Sequence, residues 1–269
     1  MQKKKKQLII GLIVLAILAI TAGIFIYKNQ NKADTQAPVA TKKKIQSPVN
    51  VIAVAERPYL SLEPSADGRY ITLNVLELKK EASQLDYEME YQTGSMLQGF
   101  QGLLSLDKLP KSDRKLFGSQ SAGGAITYHE DIKGGNLLAQ FSGQEAYAVK
   151  SAWRFFDNAD KNNTFASQDT KFSIKGDGFA RSRYLIVYNS PGYPAKLSQE
   201  LLSDPYVVSA ESSLKSSSAN FTVSIRSNSE SAQIMGYDGQ KWQTMDTSKV
   251  EDSYQATGPF METYILTSK

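Results

Sequence analysis

The chain has 269 residues, with 31 Lys or Arg, 27 Asp or Glu, one His and no Cys. The lack of cysteine excludes disulfides, cysteine-ligated metals and thiol chemistry, and a single histidine excludes every site with several histidine ligands. The first 44 residues contain nine lysines and one acid, so the remainder carries 22 basic and 26 acidic residues. This mildly acidic remainder argues against a general nucleic-acid binder.

An uncharged run of twenty residues, 8–27, dominates the start of the chain. A helix of that length spans about 30 Å, the thickness of the hydrocarbon core of a bilayer. Lysines at 3–6 precede the run, and such charges stay on the cytoplasmic side. We therefore predict a cytoplasmic tail at 1–7, a transmembrane helix at 8–27 in the lipid bilayer, and an extracellular C-terminal part. The protein is expected in the cell membrane as a single-pass protein.

A cleaved signal peptide is the alternative to a retained anchor. Signal peptides usually have an apolar core of about 7–15 residues followed by an Ala-x-Ala-like site. The run here is longer, and the nearest small pair, Ala19 and Ala22, has the wrong spacing for such a site. Residues 28–50 are polar, contain two prolines and lack apolar periodicity, so we predict a solvated tether there.

Period-two alternation begins after the tether. Leu85, Tyr87, Met89 and Tyr91 alternate with polar residues, which indicates one buried and one wet face of an antiparallel sheet. Further strands are predicted at Leu97–Leu106, Ala125–Glu130, Asn136–Phe141 and Tyr147–Phe156. About seven short strands separated by Gly-rich breaks suggest an immunoglobulin-like or fibronectin-like sandwich. We predict this first β-sandwich domain at 51–157.

A polar break at 158–169 is predicted to be the linker to a second antiparallel β-sandwich domain at 170–269. Within it, the apolar run Tyr184–Tyr188 indicates a central strand, and Pro194–Leu202 is the one short-helix candidate. Asp238-Gly239 predicts a two-residue hairpin turn, because both residues accept positive φ. The predicted class is therefore mainly β after one N-terminal helix. The remaining predicted strands are Lys171–Lys175, Arg183–Tyr188, Tyr206–Ala210, Phe221–Arg226, Ala232–Tyr237, Lys241–Met245, Ser253–Ala256 and Met261–Thr267.

The C-terminal stretch from Tyr237 to Trp242, followed by Tyr254 and the run Thr263–Leu266, resembles the closing strands of bacterial surface β-sandwich modules. The layout as a whole resembles membrane-anchored bacterial surface proteins with immunoglobulin-like ectodomains: a lysine-rich start, one span, a polar tether and a β-rich exterior. This resemblance is architectural. It implies a location and a fold, and it brings no activity, because such modules serve many roles.

Residues that could carry chemistry are few. His129 adjoins Glu130 and Asp131, but no nucleophile can be paired with it, so we interpret it as a surface histidine at a strand end. The stretch 158–169 resembles a calcium loop, with weak candidate ligands Asn158, Asp160, Asn162 and Asp169. It departs from that pattern because Asn163 replaces the required glycine and no helices flank it. We therefore predict no metal, no cofactor and no catalytic residue.

The sequence predicts a non-enzymatic, membrane-anchored cell-surface protein with a binding, adhesion or envelope-structural role. Its partner is expected to be an extracellular protein or glycan. Two alternatives remain. A carbohydrate-binding module would expose coplanar aromatic rings, for which Trp153 and Trp242 are candidates, although we interpret both as core residues. A cell-envelope hydrolase would show a pocket with convergent carboxylates, for instance around Asp86, Glu88 and Glu90, although a wet stripe explains those three acids better.

Overall fold

The computed structural model describes residues 48–211, 214 and 219–269, which belong to one compact unit, Gln46–Lys269. The predicted tail at 1–7, the predicted helix at 8–27 and all but the end of the predicted tether at 28–50 lie outside the described residues. Within the described ranges, no helix is long and apolar enough to span a membrane.

The described part of the chain is mainly β, as predicted, and its sheets are antiparallel. The first ten strands are β1 (Tyr59–Pro64), β2 (Tyr70–Glu77), β3 (Gln84–Thr93), β4 (Met96–Ser105), β5 (Lys111–Leu116), β6 (Gly118–Gln120), β7 (Ile126–Tyr128), β8 (Ile132–Ser142), β9 (Tyr147–Asp157) and β10 (Thr164–Ala166). The others are β11 (Phe172–Lys175), β12 (Tyr184–Asn189), β13 (Tyr206–Ala210), β14 (Phe221–Arg226), β15 (Gln233–Tyr237), β16 (Trp242–Thr244), β17 (Thr247–Val250), β18 (Ser253–Gly258) and β19 (Thr263–Thr267). Short 3₁₀ turns occupy Val54–Glu56 and Asp177–Arg181.

A nine-stranded sheet forms the centre of the structure, in the order β16-β15-β19-β13-β12-β9-β8-β3-β4. It takes strands from both predicted sandwich segments. They meet where β9 pairs with β12, from Asp157 opposite Tyr184 to Trp153 opposite Tyr188. Backbone hydrogen bonding therefore continues without a break from one segment to the other.

Two hydrophobic cores lie on opposite faces of this sheet, and β12 contributes to both. Ile186 and Tyr188 point into the first core, whereas Leu185 and Val187 point into the second. All four side chains are fully buried, which is why the run from Tyr184 to Tyr188 is apolar at every position. The prediction that this run forms a central strand is confirmed.

Each core is closed by a smaller sheet. The sheet β1-β2-β5 covers the first core, in which Leu60, Leu62 and Leu73 are fully buried together with side chains of β3, β8 and β9. The sheet β10-β11-β14-β18-β17 covers the second core on the opposite face, with Phe172 and Val223 fully buried. The result is sandwich-like packing on both sides of one shared sheet, offset along its width.

The predicted alternation on β3 is confirmed, because Leu85, Tyr87, Met89 and Tyr91 are all buried. All four side chains pack into the first core. The strand pairs with β8 on one side and β4 on the other, and its side chains alternate between the two faces of the sheet over its ten residues.

Two local predictions are wrong. The segment 194–202 is not helical: Leu202 N–H donates to Leu266 C=O, and Leu201 bridges Thr267, so this backbone bonds to the last strand instead. The hairpin after β15 has a four-residue loop, because Tyr237 pairs with Trp242. Asp238 stabilises this longer loop by accepting hydrogen bonds from the N–H groups of the two residues before Trp242, at 2.8 and 2.9 Å.

Candidate binding face

Among the residues that the structure describes, one half of the central sheet is covered by another sheet on a single face only. On β9, Phe156 packs against the second core, whereas Lys150, further along the same face, is exposed and belongs to neither core of the described residues. We call this uncovered surface of β4, β3, β8 and β9 the outer face. The residues on this face, from the cross-strand registers, are Leu97, Gly99, Gln101, Leu103, Asp86, Glu88, Glu90, Asn136, Leu138, Gln140, Ala148 and Lys150.

Three acids form a row along the outer face. Asp86, Glu88 and Glu90 occupy alternate positions of β3, which places successive carboxylates about 7 Å apart. The side chains of Glu88 and Glu90 make no ion pair or hydrogen bond with any residue that the structure describes. Like charges this close repel one another, so a cationic ligand would relieve an unfavourable interaction as well as form new ones.

A shallow groove of about 320 Å³ lies on this face. Val49, Glu88, Glu90, Asn136, Leu138 and Lys150 line it. Its wall thus combines two carboxylates, one cation, an amide and two aliphatic side chains. Such a mixture suits a ligand that has both charged and apolar groups. Nearby, the Nε2 atom of Gln140 has no hydrogen-bond partner within the described residues.

The start of the described chain is fastened beside this groove. Asn50 acts as a clamp on β9: its N–H donates to Ala148 C=O at 3.0 Å and its Nδ2 to Lys150 C=O at 2.9 Å. In return, Lys150 N–H donates to Asn50 Oδ1 at 3.0 Å. Arg57 also fixes Asn50 in place, because its guanidinium donates a hydrogen bond to Asn50 C=O at 2.9 Å. The groove therefore has a fixed rim at the point where the predicted tether enters the domain.

The weak calcium candidates lie in two separate hydrogen-bond networks. The Nδ2 of Asn158, a buried residue, donates to the carbonyls of Asn162, Phe179 and Ser182 at 3.1–3.2 Å, and its Oδ1 accepts from Asn162 N–H at 2.7 Å. Asp160 and the side chain of Asn162 are exposed. No group of three or more His, Cys, Asp or Glu side chains in the described residues could hold a metal.

Asp169, the fourth candidate, is occupied elsewhere. Its carboxylate accepts hydrogen bonds from Ser167 Oγ, Lys171 N, Asn189 Nδ2 and Tyr206 Oη. Burial by itself would raise the pKa of this carboxyl, but the four hydrogen bonds together lower the pKa below its usual value. The residues 158–169, predicted as a linker, therefore include β10 and two turns that are bonded into the fold.

The other residues singled out in the sequence have structural surroundings. His129 Nδ1 shares a hydrogen bond of 2.8 Å with Tyr91 Oη at the end of β3. Trp153 is fully buried in the first core, stacked on Phe117. Trp242 is half-buried, and its indole N–H donates to Pro194 C=O at 3.0 Å. The outer face carries no aromatic side chain in the cross-strand registers that define it.

Sequence reasoning missed a second concavity. This cleft, of about 180 Å³, lies between β1 and β13 and includes Glu63, Glu262 and Phe260. Burial raises the pKa of Tyr59, which also lines the cleft, and the charges of Glu262 and Glu63 raise it further against a hydrogen bond from Thr263. The cleft is lined by residues of β1, of β13 and of the segment at Phe260, which are far apart in the sequence, so no local sequence pattern predicts it.

Comparison of the chain with protein-family models, with curated proteins and with solved structures gives no match.

Proposed function

We propose that the chain is a membrane-anchored cell-surface protein that binds an extracellular protein, without catalysis, through the outer face. In this proposal the helix at 8–27 is the anchor, residues 1–7 lie in the cytoplasm and 28–50 form the tether. The two predicted immunoglobulin-like sandwich segments, 51–157 and 170–269, become two lobes built on one sheet, and 158–169 connects them.

The observation that carries the proposal is that no second sheet, among the residues the structure describes, lies over half of one face of the central sheet. At β12 and β13, this same face of the central sheet is covered by the five-stranded sheet, so one part of the face is buried within the fold. Over β3, β8 and β9, Glu88 and Glu90 instead line a groove together with the apolar side chain of Leu138, and neither carboxylate has an ion-pair or hydrogen-bond partner within the described residues. An exposed surface that mixes apolar and unpaired charged groups marks an interaction site.

The groove favours a particular class of partner. Two carboxylates without a partner in the described ranges, next to aliphatic side chains, match an extended protein segment that alternates basic and apolar residues. A glycan is less well supported, because stacking on sugar rings needs exposed aromatic rings and the outer face has none in its defining registers. Trp242, the sequence candidate for stacking, uses its N–H to hold Pro194.

The proposal is tested with the full-length protein in detergent and a fluorescent peptide of alternating lysine and valine. Glu88→Lys/Glu90→Lys should weaken peptide binding by about tenfold or more at low salt, because each substitution replaces an attraction by a repulsion. Screening should reduce the wild-type affinity as salt approaches about 0.15 M. The matched control is Asp160→Lys/Glu230→Lys, which changes the net charge equally at exposed positions away from the outer face.

Equal losses in both double variants would show non-specific charge attraction and contradict the proposal. A glycan array that binds wild type and the Glu88/Glu90 variant alike, but loses signal with Asn136→Ala/Gln101→Ala, would replace the protein partner by a sugar.

A further inference from the structure

The strand β4 ends the central sheet and leaves one of its edges open. It is ten residues long, pairs with β3 along its whole length, and has no strand on its other side among the residues that the structure describes. An open edge presents a row of backbone N–H and C=O groups that can pair with another strand.

The usual protections of such an edge are missing from β4. Its sequence, Met-Leu-Gln-Gly-Phe-Gln-Gly-Leu-Leu-Ser, contains no charge and no proline. Leu97 and Leu103 are each 63% exposed. The opposite end of the sheet is protected differently, because β16 has three residues only. A long, uncharged edge with exposed leucines is a site at which a strand would add.

The turn before β4 determines which backbone groups face outward. Thr93 pairs with Met96 across the two-residue loop Gly94-Ser95, and the residues that flank such a loop are bonded to each other. Alternation then directs the N–H and C=O groups of Met96 and Phe100 toward β3. Those of Leu97, Gly99, Gln101 and Leu103 point to the open side.

The sequence of β4 is complementary to itself when a second copy runs antiparallel with Phe100 opposite Phe100. The facing pairs are then Leu97 with Leu103, Gln98 with Gly102 and Gly99 with Gln101. Each glutamine then faces a glycine, Leu97 faces Leu103, and Leu104 faces Met96. The register also places outward-facing residues opposite outward-facing residues, as an antiparallel ladder requires. Because a two-fold axis passes through the Phe100 pair, each of the other pairs occurs twice in the dimer.

We propose that the protein forms a homodimer in which two β4 strands pair antiparallel about Phe100, joining two central sheets into one. The acidic rows on β3 do not oppose this pairing. They would be three strand spacings apart, about 14 Å, which exceeds the screening length of about 8 Å at physiological salt. The two outer faces would then form one surface with two copies of the groove.

The register is tested by thiol crosslinking of the full-length protein in detergent. The chain has no cysteine, so an introduced cysteine is the only thiol. In the dimer, residues 97 and 103 of different copies face each other at about 5.5 Å between Cα atoms. A mixture of Leu97→Cys and Leu103→Cys chains should therefore give crosslinked dimers with a short thiol–thiol reagent.

Each variant alone is the matched control. Two copies of residue 97 would be separated by six residues along the ladder, about 20 Å, beyond the reach of the reagent. Crosslinked dimers that form in the mixture, and in neither single-variant sample, support the proposal. Equal crosslinking in the single-variant samples, or none in the mixture, would overturn it.

The molar mass of the uncrosslinked protein, followed as its concentration is varied, gives an independent measurement of dimerisation. Leu97→Lys should raise the dimer dissociation constant by about tenfold or more, because each dimer loses two Leu97–Leu103 contacts and gains two edge charges. Val250→Lys is the control, since Val250 is 42% exposed on β17, the edge strand of another sheet. A wild-type protein that stays monomeric at all concentrations, or a Val250→Lys effect as large as that of Leu97→Lys, would contradict the dimer.

Discussion

Tyr59 and Thr263, which lie 204 residues apart, share a buried hydrogen bond of 3.0 Å between their hydroxyl groups. Tyr59 begins β1 of the small covering sheet, and Thr263 begins the last strand of the central sheet. The bond thus joins the first strand of the described residues, in the small covering sheet, directly to the last strand of the central sheet. Burial raises the pKa of the Tyr59 hydroxyl, so it stays protonated at neutral pH.

Removing the hydroxyl of Tyr59 should weaken the fold. Tyr59→Phe leaves the buried Thr263 hydroxyl without its partner, so we expect the free energy of unfolding to fall by about 1–3 kcal/mol. Urea denaturation of the full-length protein measures this change. Tyr128→Phe is the control, because Tyr128 is only partly buried. Equal effects of the two substitutions would contradict the role given to this hydrogen bond.

The amide of Asn158 should prove structural. Asn158→Ala removes a group that donates toward three carbonyls and accepts from one N–H inside the fold, and we expect a loss of about 2–4 kcal/mol in the free energy of unfolding. Asn162→Ala, the same substitution at an exposed side chain of the same loop, should change stability by less than about 0.5 kcal/mol. Similar losses in both variants would show that the amide of Asn158 has no special role.

Calcium should leave the melting temperature unchanged. The Asn158 amide and the Asp169 carboxylate already have several partners each, and the four candidates together carry two formal negative charges. Extracellular calcium modules bind in the range of about 0.1–1 mM, so a scan with about 10 mM calcium would saturate such a site. A saturable rise of a few degrees with calcium, absent with magnesium and abolished by Asp160→Ala, would establish a site in this loop.

Acid should destabilise the protein partly through Asp169. Its pKa is lowered in the folded state, so the unfolded chain binds a proton there more readily. The contribution to stability is complete above the unfolded pKa, about 4, and is lost as the pH falls from there through the lowered folded value. In Asp169→Asn the free energy of unfolding should therefore fall less steeply as the pH drops below about 4. Asp160→Asn is the control, and a wild-type slope in Asp169→Asn would contradict the assignment.

The parts of this fold that sequence predicts are those set by local alternation. The period-two pattern of β3 and the apolar run of β12 depend on which faces are buried, and both predictions are confirmed. The pairing of β9 with β12 depends on contacts between distant segments, so the single sheet shared by two cores has no local pattern. The segment after Pro194 shows the same limit: its leucine spacing suits a helix, but Leu202 bonds to β19.

The candidate site is predictable only in part for the same reason. Asp86, Glu88 and Glu90 were expected on the wet face of one strand, and they occupy that face. The groove itself also needs Val49, Asn136 and Lys150, which come from three other segments. The clamp by Asn50 joins the N-terminal segment to β9 over a separation of 100 residues. Neither feature follows from the spacing of residues along the chain.

The most direct test of a surface protein with an open outer face is thiol labelling on intact cells. The only thiol of Glu90→Cys lies on the outer face, and that of Gln2→Cys lies in the predicted cytoplasmic tail. A membrane-impermeant maleimide should label Glu90→Cys on intact cells, whereas Gln2→Cys should react only after permeabilisation. Labelling of Gln2→Cys on intact cells, with Glu90→Cys protected until the membrane is opened, would contradict the account.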